Sequence, residues 1–94
     1  MPITVFHLEA SDVARLKLGA RGLSMAEARQ RLHNRHEIRR DVRGPRSGWE
    51  RRLLIGETDG GRVLTLVIER THDPNSWEIV TGWTANSRER KVLV

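Results

Sequence analysis

The chain has 94 residues, a hydrophobic fraction of 37% and a net charge of +5, which together set a single domain with a small core. With no cysteine, it has no disulfides, no thiol nucleophile and no cysteine-ligated zinc. No apolar run approaches a membrane span, and Met1–His7 carries no basic segment followed by an apolar one, so a soluble cytoplasmic protein without a leader is expected.

Residues 3–8 are β-branched and aromatic enough for a first strand. Ser11-Asp12 supplies a helix N-cap, with Val13, Leu16 and Ala20 following at helical spacing until Gly22 interrupts. Ser24 with Glu27 three residues on is a capping-box pattern that opens a second helix to about Asn34. Met25, Ala28 and Leu32 form its apolar stripe, and Arg29, Arg31 and Arg35 are expected on its other faces.

His36–Val42 reads as a short edge strand, followed by the glycine- and proline-containing loop 43–48. Three strands follow, Arg51–Glu57, Arg62–Glu69 and Trp77–Ala85, joined by an Asp-Gly turn at Thr58–Gly61 and a proline-set turn at His72–Ser76. Ser87–Val94 is expected to form a short C-terminal helix. The fold class is α+β: two N-terminal helices on one face of a three- to four-stranded antiparallel sheet. Leu64, Leu66 and Ile68 should meet the helices, while Val63, Thr65, Val67 and Glu69 line a half-open concave face able to take single-stranded RNA.

The charge is concentrated. Between Arg29 and Arg52 stand nine arginines against Glu37, Asp41 and Glu50, a local +6 in a chain whose total is +5. Lys17 and Lys91 are the only lysines, so a bias toward arginine accounts for the residue type but not for the clustering. Such a patch on a small domain suits a polyanion, and nucleic acid first. Arg39, Arg40, Arg43, Arg46, Arg52 and Arg70 are the candidate phosphate contacts, with Trp49 a candidate exposed aromatic. Trp77 is expected in the core, and Trp83, six residues on and read as sharing its face, is open between core and stacking platform.

Several segments resemble BrnT-type toxins, of the RelE-like superfamily. Arg21-Gly22-Leu23-Ser24-Met25-Ala26-Glu27-Ala28 is similar to the start of that family's second helix. Glu50-Arg51 with Leu54–Leu64 resembles its Glu-Arg … Gly-Arg hairpin, and Ile79–Ala85 with Glu89-Arg90 resembles its last strand and close. The resemblance runs over about residues 13–90. It implies a RelE-like fold, a metal-independent endoribonuclease that inhibits translation, and a cognate antitoxin, acidic where it contacts the toxin. A homodimer and a toxin–antitoxin hetero-oligomer are both open. The chain has Ala20-Arg21 where the family has Lys-His, Thr81-Gly82-Trp83 where it has Ser-Ala-Arg, and no tyrosine. Those departures support the alternative, a non-catalytic nucleic-acid-binding or protein-interaction module on the same scaffold.

Metal-independent RNA cleavage needs a base for the 2′-hydroxyl, cations for the growing phosphorane charge and an acid for the leaving oxygen. Arg51 and Arg62 are the expected cations: they match the family's Glu-Arg and Gly-Arg positions and start neighbouring strands. The competing reading pairs each with Glu50, Glu57 or Glu69. His36 and Glu50 compete as base, histidine because it titrates near neutrality. Glu50, beside Arg51 and Arg52, whose charges favour its ionised form, is better suited to orienting Arg51. No cofactor is implied, and no metal: His33 and His36 lack a third ligand of suitable spacing.

Overall fold

The computed structural model describes residue 5 and residues 7–40, 50–73 and 75–93. Phe6, the loop 43–48 and the candidate contacts Arg43, Arg46 and Trp49 lie outside the described residues. The elements run β1 (His7–Glu9), α1 (Asp12–Ala20), α2 (Met25–Gln30), β2 (His36–Arg40), β3 (Arg51–Glu57), β4 (Val63–Arg70), β5 (Ser76–Thr84) and α3 (Ser87–Arg90), closed by a 3-10 turn at Lys91–Leu93.

The expected antiparallel sheet of three or four strands is instead a mixed sheet of five, in the order β1-β5-β4-β3-β2. The three pairings from β2 to β5 are antiparallel, whereas β1 lies parallel to β5, with Leu8 opposite Trp77. Pairing β1 with the last strand needs no hairpin, because both helices and three strands intervene in the chain. Its direction is therefore free to be parallel.

The helix starts follow their caps. The Ser11 hydroxyl accepts from the Ala14 amide at 3.2 Å and the Ser24 hydroxyl from the Glu27 amide at 3.1 Å. The Glu27 carboxylate turns to Arg62, at 3.1 Å. A full capping box closes around α3 instead, between Asn86 and Glu89. α2 stops at Gln30, earlier than its apolar spacing suggests, because the turn after it is held by the β3–β4 hairpin. There Asp59 takes hydrogen bonds from Asn34 at 2.8 Å and His33 at 3.3 Å, and the Gln30 side chain accepts from the Asp59 amide at 3.0 Å.

Leu18 of α1, Leu23 and Ala28 pack with Leu54, Leu64, Leu66, Ile68, Trp77 and Ile79 in one core. The helix-facing set on β4 is thus the one its alternation indicates. α1 packs through Ala14 and Leu18, leaving Val13 and Leu16 exposed. The opposite sheet face is not half-open at its centre: Thr65 and Val67 are buried, as are Ile55, Ala85 and Leu93. The Lys91–Leu93 turn lies against β2 and β3 and buries Leu93 there. The expected RNA groove along this face is therefore filled.

Trp77 and Trp83 do not share a face. Ile68 pairs with Ile79 and Val67 with Thr81, so Val80 is an extra residue, a β-bulge that reverses the alternation of β5. Trp77 enters the helix-side core with 1% exposure. Trp83 goes to the other face, where its indole N–H donates to the Glu89 carboxylate at 3.1 Å.

Candidate nucleic-acid interface

Antiparallel pairing sorts the expected site residues into two groups. Arg51 stands opposite Glu69 at one end of the β3–β4 ladder, and Glu57 stands opposite Val63 at the other, next to Arg62. Starts of neighbouring antiparallel strands lie at opposite ends. At ~3.4 Å per residue, six steps along β3 separate the two by about 20 Å. His36, opposite Gly56, belongs to the Arg62 end, and Glu50 to the Arg51 end. Arg51, Arg62, His36 and Glu50 are not brought together.

Each has a local partner. Arg51 pairs with Glu69 at 3.1 Å. The Glu50 carboxylate bridges Arg52 at 2.6 Å and Arg70 at 3.2 Å, so it orients these two and not Arg51. Arg62 donates to the Gly22 carbonyl at 3.2 Å, Glu27 at 3.1 Å and the Thr84 hydroxyl at 3.3 Å, tying the α1–α2 connection to the sheet. His36 sits half-buried with Nδ1 2.9 Å from the Asn34 carbonyl. Because a carbonyl only accepts, Nδ1 carries the proton in that contact.

What the fold does gather is arginine. Arg39 and Arg40 end β2, Arg51 and Arg52 begin β3, and Arg70 ends β4, with Arg40 directly opposite Arg52. Alternation sends Arg40, Arg52 and Arg70 to the helix side of the sheet and Arg39 and Arg51 to the other. The arginines thus wrap the sheet's end. Arg70 also lies over the Trp77 ring, 5.0 Å from its centre, which holds the guanidinium in place. Arg39 and Arg40 are exposed and make no ion pair among the described residues. Two shallow clefts adjoin this end, and both are lined by Glu69 and Glu78. One also holds Lys17 and the other Arg70 and His72, so the charge around these clefts is mixed.

Arg31 is a residue that sequence reasoning misplaced. It is fully buried, donates from Nη2 to the Leu54 carbonyl, and leaves Nε and Nη1 buried without a hydrogen-bond partner among the described residues. Burial pushes its guanidinium down to about 9. The available signal was its place three residues after Ala28, on the buried side of α2. Among the described residues no three His, Asp or Glu side chains gather as a metal site, and no helix is long and apolar enough to cross a membrane.

No protein-family profile, characterised protein or solved structure matches this chain.

Proposed function

We propose that the protein binds RNA through the arginine-bearing end of its sheet. The observation that carries this is the convergence of Arg39, Arg40, Arg51, Arg52 and Arg70 from three strands onto one end, two of them exposed and without an acidic partner among the described residues. Arginine forks meet phosphate oxygens bidentately, and a patch of them gives affinity that falls steeply with salt. Binding of this kind reads the backbone and not the bases.

The endoribonuclease toxin is the specific form of this reading that the sequence resemblance favours. Cleavage would then run from the Arg51 end alone, with Arg51 released from Glu69 to stabilise the phosphorane. Arg62 takes no part, since its three contacts hold the fold about 20 Å away along the strands. An antitoxin would cover the same surface with carboxylates. The non-catalytic module is favoured by the separation of His36 from Arg51, which leaves the arginine end without that base.

One experiment separates the forms: RNA incubated with purified protein in chelator, beside Arg51→Ala and Arg62→Ala. Cleavage lost in Arg51→Ala and kept in Arg62→Ala establishes the ribonuclease at this end. Intact RNA bound with a steep salt dependence establishes the binding module. Absence of both overturns the RNA reading.

A further inference from the structure

β2 is an edge strand, paired among the described residues with β3 alone. The Glu57 amide donates to the Arg35 carbonyl at 3.1 Å, which sets the parity of the ladder. Residues 35, 37 and 39 turn their backbone groups to β3, so those of His36, Ile38 and Arg40 point away from the sheet. Edge strands are commonly guarded by charge against further pairing. Here the charges alternate in a self-complementary order. His-Glu-Ile-Arg-Arg, laid antiparallel on a copy of itself about Ile38, sets Glu37 opposite Arg39 of the copy and Arg39 opposite its Glu37.

We propose that two copies of this chain associate through β2, antiparallel about a two-fold axis at Ile38, into one continuous ten-stranded sheet. The parity fits. Ile38 faces Ile38 of the copy as a hydrogen-bonded pair, His36 and Arg40 exchange the flanking bonds, and every outward backbone group finds a partner. Glu37 and Arg39 then form the non-hydrogen-bonded pairs, where Cα atoms approach to about 4.5 Å and side chains interact most closely. Both side chains are exposed and make no ion pair or side-chain hydrogen bond among the described residues, so each is available. In the dimer Arg39 turns to Glu37 of the copy, and Arg40, Arg51, Arg52 and Arg70 are left for the proposed RNA surface. Ile38 is half-buried against the helix-side core, and its remaining exposed surface meets its own copy. The contact is isologous and closes on itself, giving a dimer and not a fibre.

The test is a charge exchange read by sedimentation at about 100 μM, a concentration that registers a weak dimer. Glu37→Arg alone, or Arg39→Glu alone, sets like charges against each other twice and weakens the dimer about tenfold or more. Mixing these two single variants makes every cross-chain pair complementary again, so a heterodimer forms from two monomeric proteins. Glu37→Arg with Arg39→Glu in one chain restores the homodimer. A monomeric parent, single variants as dimeric as the parent, or a mixture that stays monomeric overturns the proposal.

Discussion

The Arg31 guanidinium donates to the Leu54 carbonyl from a side chain with no exposed surface and, among the described residues, no carboxylate beside it. One hydrogen bond offsets only part of the cost of burying a charge, and two of the three guanidinium nitrogens, Nε and Nη1, have no partner among the described residues. Arg31→Met, similar in length and apolar, is therefore expected to stabilise the fold by about 1–3 kcal/mol. The pH argument has the same sign. The folded-state value, about 9, lies below the ordinary 12.5, so at neutral pH the folded chain carries the full cost of the buried charge. That cost declines only as the pH rises above about 9. Urea unfolding of the two proteins at neutral pH decides the point, and a less stable Arg31→Met would show that the guanidinium contributes more than it costs.

Gly82 is where α1 meets β5. A Cβ there would run into Leu66 Cδ2 and stand 3.1 Å from the Thr65 carbonyl oxygen and 3.2 Å from Leu18 Cδ2. Gly82→Ala should cost about 1–3 kcal/mol, the usual range for overpacking. Gly60→Ala is the control, since a Cβ there stands 3.9 Å from the nearest side-chain atom, Thr58 Oγ1. Thermal unfolding should separate the two variants clearly.

Asp59 holds the turn after α2. The hydrogen bond from Asn34, with a smaller contribution from His33, keeps its carboxyl below the ordinary 3.8. A depressed carboxyl contributes stability above its unfolded value and loses it as the pH falls through the folded one. Asp59→Asn should therefore show a shallower fall of Tm below pH 3.8 than the parent. Parallel slopes would mean that this turn does not respond to its charge.

Arg62 is a clasp between the α1–α2 connection and the sheet. Arg62→Ala removes its bonds to Gly22, Glu27 and Thr84, and should cost about 0.5–1.5 kcal/mol of stability. RNA affinity should stay near that of the parent. Arg40→Ala should do the reverse: little change in stability, and a salt slope lower by about one unit. Equal losses of RNA affinity in both variants would argue against a single arginine-bearing end.

Local chemistry was legible in the sequence. Ser11 and Ser24 marked helix starts because a hydroxyl there meets free amides, and the Asp-Gly turn and β4 alternation marked a hairpin and its core face. These features depend on residues a few positions apart. The split between Arg51 and Arg62 was also within reach, since an antiparallel hairpin places its two strand starts at opposite ends.

Other features depended on contacts between distant segments. The bulge at Val80 sends Trp77 and Trp83 to opposite faces, and it exists only in the pairing of β5 with β4. Helical spacing from Ala28 puts Arg31 on the buried side of α2, but its partner, the Leu54 carbonyl, comes from a strand 23 residues on. β1 pairs with β5 across nearly the whole chain, so no local signal sets that pairing or its parallel direction. Sequence determined which segments become helix or strand and where positive charge is dense, since both follow from neighbouring side chains. Tertiary structure alone decided which arginines share a surface, which are held by carboxylates and which one is buried, because register and packing join residues that the chain keeps apart.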